Sequence, residues 1–346
     1  MPVFDKSIIS PGATVLVTGV NGFVGSHVAD QLLDYGYRVR GSVRDVQKAA
    51  WLAELFEQKY GSGRFELFPV KDMVLEGAFD EAVKGVSGVA HVAAVMTMDA
   101  DVETVMNTTV TGTLNALKSA AKEPSVKRVV LTSSSVVVRD MGSYVPERPV
   151  AVNEYNDGAL ELVRDMPVSW TDRQKGHVVY TASKVLSEKK AWEWMKEHKP
   201  HFGLNTVIPP MILGRSLSVE KQGHPGSSGL PVSVFLGKLA GLEFMSQFYF
   251  VNVQDVGLLH VAGLVHPDVD GERMFAYAGT YTFNDWLGLF RKFAPDKTFP
   301  DDMPGLDRSF SRIEGRDRSE ALLKDLGRSG FTGLEETLRA NVEELV

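Results

Sequence analysis

The chain has 346 residues, enough for one large α/β unit with an appended region or for two closely joined domains. Its 44% hydrophobic and 23% charged residues allow a sizeable core and exclude wholesale disorder; a formal net charge of −7 argues against a nucleic-acid binder but leaves room for a local basic pocket. With no cysteine, there is no disulfide, no thiolate metal site and no cysteine nucleophile.

In chain order, the N-terminal half alternates short β-rich runs with helical spacing, which predicts βαβ units and a parallel sheet. Thr14–Thr18 (TVLVT) reads as a buried first strand. A glycine-bearing turn leads into a helix over 26–35, closed by Gly36. Then come a strand over 37–43, a helix over Val46–Tyr60, a strand over 64–69, a short helix over 79–84 and a fourth strand over 88–95. Residues 101–123 read as one long helix and 128–133 (RVVLTS) as a fifth strand. Residues 138–175 are polar and irregular and read as an excursion over one face. Helical spacing returns over 179–198, and 205–209 forms a sixth strand. The Gly-, Pro- and Ser-rich stretch 215–231 reads as a mobile surface loop, either functional or a passive connector. From residue 280 on, two or three small helices are expected.

The first strand runs into Thr18-Gly19-Val20-Asn21-Gly22-Phe23-Val24-Gly25, a G-x-x-G-x-x-G spacing. The first glycine allows a tight turn, the second a close backbone approach to a pyrophosphate, the third close packing of helix on strand; the helix N-terminus then offers free N–H groups to phosphate. The pattern alone is common, and its place between a strand and a helix gives it weight. An NAD site usually places an Asp or Glu about 20 residues on, at the end of the second strand. Here the sequence is Val39-Arg40-Gly41-Ser42-Val43-Arg44, with no acid and an arginine suited to a 2′-phosphate, so the expected cofactor is NADPH/NADP. Lys48 either adds charge there or is a solvated helix residue, and Asp45 reads as the cap of the next helix. Asp72 and Met73, after the third strand, either bracket an adenine or stand exposed in a loop.

Tyr180-Thr181-Ala182-Ser183-Lys184 sets a phenol and an ammonium four residues apart, on one face of a helix. A nearby cation stabilises a phenolate and lowers its pKa from about 10. The tyrosine can then give a proton to a carbonyl oxygen as hydride reaches the carbon, or take it back. The fifth strand ends in Leu131-Thr132-Ser133-Ser134-Ser135, and ligands of open α/β sheets bind beyond such strand ends, where a serine can orient a carbonyl.

Taken together, these motifs resemble the extended short-chain dehydrogenase/reductase superfamily. Within it the chain is most similar to fungal NADPH-dependent aldehyde, ketone and methylglyoxal reductases, with plant dihydroflavonol reductases more distant. The resemblance spans essentially the whole chain. It includes Gly112-Thr113-Leu114-Asn115-Ala116-Leu117, Ser125-Val126-Lys127-Arg128 and Asn252-Val253-Gln254-Asp255-Val256-Gly257. It implies a Rossmann-type doubly wound parallel sheet with a smaller, mostly helical C-terminal substrate-binding region. Residues 1–205 would form the NADP-binding domain, with 250–275 returning to it; 206–249 and 276–346 would bind substrate.

The resemblance also implies roles. Ser134, Tyr180 and Lys184 are the expected catalytic residues, with Lys184 also holding the nicotinamide ribose. Cofactor contacts are expected from Gly19, Asn21, Gly22, Phe23 and Val24 in the turn, from Arg44, and from Ala93 and Ser133 at strand ends. Pro209, Met211 and Ile212 match the segment lying against the nicotinamide. Met96, Val136, Met245 and Phe248 either line the substrate pocket or belong to ordinary core. Many members carry a proton-relay asparagine three residues before the Gly-Thr pair, where this chain has Thr109.

The sequence has no G-x-S-x-G elbow, no H-E-x-x-H and no P-loop, so hydrolase, metal and P-loop chemistry are not expected. Residues 1–12 do not read as a signal peptide, and no run approaches the ~18 apolar residues of a membrane span. The expected protein is cytoplasmic, a monomer or homodimer, with an aldehyde or ketone as small-molecule partner and no nucleic-acid or membrane partner. Two other readings remain: a non-catalytic NADP-binding regulatory protein, and a sugar-nucleotide epimerase or dehydratase of the same superfamily.

Overall fold

A computed structural model describes residues 7–94, 99–306 and 310–346. Its strands are β1 (Thr14–Thr18), β2 (Arg38–Val43), β3 (Phe65–Pro69), β4 (Gly88–His91), β5 (Arg128–Thr132), β6 (Gly203–Ile208), β7 (Met211–Leu213), β8 (Gln247–Asn252), β9 (Arg273–Phe275) and β10 (Gly279–Thr282). The helices are α1 (Phe23–Asp34), α2 (Val46–Tyr60), α3 (Val102–Lys122), α4 (Asp157–Leu162), α5 (Asp172–His198), α6 (Val219–Gln222), α7 (Gly229–Phe235), α8 (Val253–Val265), α9 (Phe283–Phe293), α10 (Arg316–Asp325) and α11 (Leu334–Asn341).

Seven strands form one all-parallel sheet in the order β3-β2-β1-β4-β5-β6-β9. The order reverses at β1/β4, the doubly wound arrangement of a Rossmann-type sheet, whose binding crevice lies beyond the strands' carboxyl ends. The central strands β1 and β5 are buried on both faces, which is why their interiors are apolar rather than alternating. In β1, Val15 and Val17 pack into the core under α1 and α8, while Leu16 points the other way, into the core that Ala116 and Leu117 of α3 and Ala191 and Trp194 of α5 complete. A third, strongly aromatic core built around Tyr249, Tyr277, Tyr281 and Trp286 holds the C-terminal region together.

The structure departs from the sequence expectations in several places. Residues 79–84 form no helix. They run in successive turns between Gly77 and Gly85, both at φ 71°, a conformation that closes a helical run at either end. Helix α5 starts at Asp172, seven residues early, because Thr171 and Gln174 form a capping box. Beside its helices, the smaller region also holds a three-stranded mixed sheet, β10-β8-β7.

The stretch 215–231 is not a free loop either. It contains α6 and the start of α7, and it is tied down at both ends. Gln222 Nε2 donates to Asn21 O (3.3 Å) and Ser26 Oγ (3.1 Å), and Ser227 Oγ donates to Ile212 O (2.6 Å). From the C-terminal side, Asn341 Nδ2 donates to Ser228 O (2.8 Å). The segment therefore lies across the glycine turn rather than away from it. Among the described residues, no helix is long and apolar enough to cross a membrane.

Candidate active site

The glycine turn has the geometry its spacing requires. Gly19 sits at φ 63°, a left-handed conformation, and a Cβ there would lie 3.0 Å from Ala93 Cα. A Cβ on Gly25 would lie 2.3 Å from Gly19 O, so only glycine lets α1 pack against the end of β1. Gly22 is the N-cap of α1, with no side-chain capping bond and no acidic residue in the first turn. The amides of this twelve-residue helix thus face the crevice with their positive dipole end uncompensated. Asn21 and Gly22 are exposed, Val24 is half-buried, and Phe23 is buried edge-on against His27. These features fit the diphosphate of a dinucleotide.

Arg44 follows β2 directly, is exposed, and is held by none of the described residues. Asp45 is the N-cap of α2, accepting from Gln47 N and Lys48 N, as expected. Lys48 is largely solvated and 3.9 Å from the Asp45 carboxylate. Asp72 is exposed and closes its own turn by accepting from Val74 N, and Met73 is half-buried with its sulfur beside Gly112. That loop is fixed by Asn115 of α3, whose amide donates to the carbonyls of Met73, Val74 and Leu75. The Gly112-to-Leu117 run thus serves to shape the rim of the crevice.

Ser134 and Tyr180 meet at the carboxyl end of β5. The Ser134 hydroxyl hydrogen-bonds the Tyr180 phenol, which pulls the phenol pKa down against a larger upward push from burial. Lys184, one turn further along α5, is buried and donates from Nζ to Thr132 O (2.8 Å). The ammonium is thus anchored on the strand backbone rather than on the phenol. Desolvation brings its pKa down to about 8, with Glu188 opposing. The sequence expectation of a lowered tyrosine pKa is not met in the protein alone, because burial outweighs the hydrogen bond with Ser134.

Ser133 N donates to Val207 O and its hydroxyl donates to Glu188, so both its donors are used and any cofactor contact from Ser133 must be as an acceptor, through its carbonyl or hydroxyl oxygen. Ala93 N donates to Thr18 Oγ1 (3.0 Å) beside the turn. Pro209 is buried between β6 and β7 and accepts from Ser135 N (2.9 Å), which joins this segment to the Ser134 turn; Met211 and Ile212 are half-buried on β7. Of the expected pocket residues, Val136 is buried just after Ser134 and Met245 is half-buried. Phe248 is 2% exposed and packs edge-on against Tyr144 and Tyr249, as core rather than open wall. Met96 lies outside the described residues. Thr109 is buried on α3, and its hydroxyl has no hydrogen-bond partner among the described residues. Among the described residues there is no cluster of His, Asp or Glu that could hold a metal ion.

Sequence reasoning missed the surroundings of Glu188. Its carboxylate is 1% exposed and accepts from Ser133 Oγ, Tyr155 OH (3.2 Å), Trp192 Nε1 (3.4 Å) and Arg273 Nε (2.7 Å). The signal available in sequence was its spacing: Tyr180, Lys184 and Glu188 recur every four residues on one helical face.

The chain is similar over nearly its full length to known fungal reductases. It is 41% identical to aldehyde reductase 2 of Sporidiobolus salmonicolor over 345 residues, covering 98% of each chain. It is 37% identical to a ketoreductase of Penicillium rubens over 350 residues, again covering 98% of each. Among solved structures, the yeast methylglyoxal/isovaleraldehyde reductase complexed with NADPH superposes with a TM-score of 0.80 at 25% identity, covering 96% of this chain and 98% of that one. The NAD dependent epimerase/dehydratase family matches residues 15–157, from the first strand into the excursion beyond Ser134. With the glycine turn at β1, the serine at β5 and the Tyr-Lys pair on α5 set round one crevice, the chain belongs to the epimerase/dehydratase family of extended short-chain dehydrogenases/reductases.

Proposed function

We propose that the protein is an NADPH-dependent carbonyl reductase that converts an aldehyde or ketone to an alcohol. The observation that carries this reading is the junction of Ser134, Tyr180 and Lys184 at the carboxyl end of β5, in the same crevice as the uncapped N-terminus of α1. The names and the NADPH complex of the similar reductases support it. The exposed Arg44 at the end of β2, where no carboxylate stands, favours NADPH over NADH and argues against an NAD-retaining epimerase.

When bound, NADPH supplies the hydride that adds to the carbonyl carbon and leaves as NADP. The rest is done by the chain. Gly19, Asn21, Gly22, Phe23 and Val24 shape the diphosphate turn, Arg44 and Lys48 take the 2′-phosphate, and Asp72 and Met73 flank the adenine. Ala93, Ser133, Pro209, Met211 and Ile212 border the nicotinamide half. Ser134 and Tyr180 hold the carbonyl oxygen between two hydroxyls, and Tyr180 delivers the proton that turns it into an alcohol. Lys184 keeps a positive charge at the base of this site, which favours departure of the phenolic proton. Residues 1–205 and 250–275 carry the cofactor, and 206–249 with 276–346 close over the substrate, with Val136 and Met245 at its border. The enzyme works in the cytoplasm as a monomer or homodimer.

Loss of NADPH absorbance on adding a panel of aldehydes and ketones tests the reading. Wild type should oxidise NADPH, and Tyr180→Phe should lose at least ~100-fold in kcat, the scale of general-acid catalysis. NADPH binding with no carbonyl-dependent oxidation across the panel would favour a regulatory protein, and full activity of the Phe variant would remove Tyr180 from the mechanism.

A further inference from the structure

Glu188 and Arg273 form a buried ion pair, with side-chain exposures of 1% and 8%, joining residues far apart in sequence. Burying two charges is costly, and such a pair is weak evidence for stability alone. Its surroundings show what else it does. One carboxylate oxygen is held by Ser133, the neighbour of Ser134 on the β5 end. The other accepts from Arg273 Nε at 2.7 Å, and from Tyr155 at 3.2 Å. Arg273 stacks on the Tyr155 ring with its guanidinium carbon 4.1 Å from the centroid, and donates to Glu154 O at 2.9 Å. A single carboxylate thus links the serine strand end, the excursion after it, the sheet-edge strand β9 and the helix carrying Tyr180 and Lys184.

We propose that Glu188 is a positioning residue of the reductase site: its carboxylate, clamped by Arg273, Tyr155 and Ser133, fixes the register of α5 against Ser134 and keeps Lys184 in its charged form. The inference rests on the reductase reading above. Lys184 faces few other ionisable groups. Tyr180 and Glu188 share its helix, and His91 approaches from β4. Burial holds His91 far below its ordinary range, to about 3, so it is neutral and offers no compensating charge. Towards β5, Lys184 Nζ donates to the Thr132 carbonyl. Glu188 is therefore the negative charge that opposes desolvation of the ammonium, whose pKa already stands at about 8. Arg273, one bond beyond, is the ion-pair partner of that carboxylate.

The test compares Glu188→Gln, and the double variant Glu188→Gln/Arg273→Met, with wild type. The single variant leaves Arg273 buried without a counter-charge and loses stability; the double variant removes both charges, so it folds where the single one fails. Two profiles are measured. In the first, kcat at saturating NADPH against pH, the alkaline limb of both variants should move down by at least one pH unit, about a tenfold loss at a pH where wild type is still active. The second is thermal stability of the cofactor-free protein against pH. The unfolded lysine keeps its proton to a higher pH than folded Lys184, so this group makes wild-type stability rise with pH from about 8 upward. In the variants the rise should begin at lower pH. A folded double variant whose two profiles overlay those of wild type would overturn the proposal and leave Glu188 a packing residue. A wild type that shows no stability rise above pH 8 would overturn it as well. A wild type that reduces no carbonyl would instead remove the reductase reading, and the stability profile would still report on Glu188 and Lys184.

Discussion

Replacing Gly25 by alanine tests the glycine turn where its geometry is least forgiving. The added Cβ would sit 2.3 Å from Gly19 O and 3.0 Å from Gly19 C and Val20 Cα. Ordinary contact begins about 1 Å further out, and every atom in the way is backbone. The strain cannot be relieved by turning a side chain, so α1 must move off the end of β1 by about that distance. Overpacking of this kind costs about 1–3 kcal/mol, which for a chain of this size lowers Tm by several degrees. The larger effect is expected on the cofactor, because the displaced amides of α1 are the ones proposed to face the diphosphate. A misplacement of ~1 Å can cost on the order of 100-fold. The assay is an NADPH fluorescence titration beside a thermal melt followed by circular dichroism. Wild-type affinity together with wild-type Tm would refute the reasoning, since the turn would then not be the cofactor's seat.

Other outcomes follow from the same structure. Gly288 is exposed on α9 with open space where a Cβ would go, so Gly288→Ala should raise stability by up to about 1 kcal/mol in urea unfolding, the opposite sign from Gly25. Arg44→Ala should weaken NADPH binding by about 10- to 100-fold, as expected for a charge-assisted contact, and leave NADH binding unchanged; an equal loss for both would place Arg44 elsewhere. Acid should destabilise the protein well above the carboxylate range. Burial pushes His27 and His260 down to about 4 and His91 to about 3, so below about 6.5 the unfolded chain binds protons that the folded one refuses. Asp255, pushed up to about 6 by burial, is protonated first in the folded state and offsets one of the three. The net slope is about 3 kcal/mol lost per pH unit between about pH 5.5 and 4.5, measurable by urea unfolding, and a flat profile there would contradict the assignment of neutral buried histidines.

The parts of the fold visible in sequence were those where one local rule decides. Thr14–Thr18 and Val46–Tyr60 fall where periodicity puts them, because a β-branched run and an Asp-capped amphipathic stretch have no competing arrangement. The short strands β7 and β9, three residues each, escape notice because their pairing partners, not their own residues, make them strands. The stretch 215–231 reads as a loop from its composition, yet Gln222 and Ser227 bind it to backbone groups of Asn21 and Ile212 that no local pattern could announce. The site divides in the same way. Ser134, Tyr180 and Lys184 are legible from spacing and strand-end position, whereas the Arg273 that holds Glu188 lies 85 residues away and only the sheet brings it there.

The most direct measurement of the central claim follows the hydride itself. NADPH carrying deuterium at the transferable position of its nicotinamide is incubated with a simple aldehyde, and the alcohol is analysed by mass spectrometry. A carbonyl reductase puts one deuterium on the former carbonyl carbon at a rate matching NADPH loss, and Tyr180→Phe suppresses both together. NADPH that binds and is consumed without deuterium reaching the alcohol, or binds and is never consumed, would contradict the account.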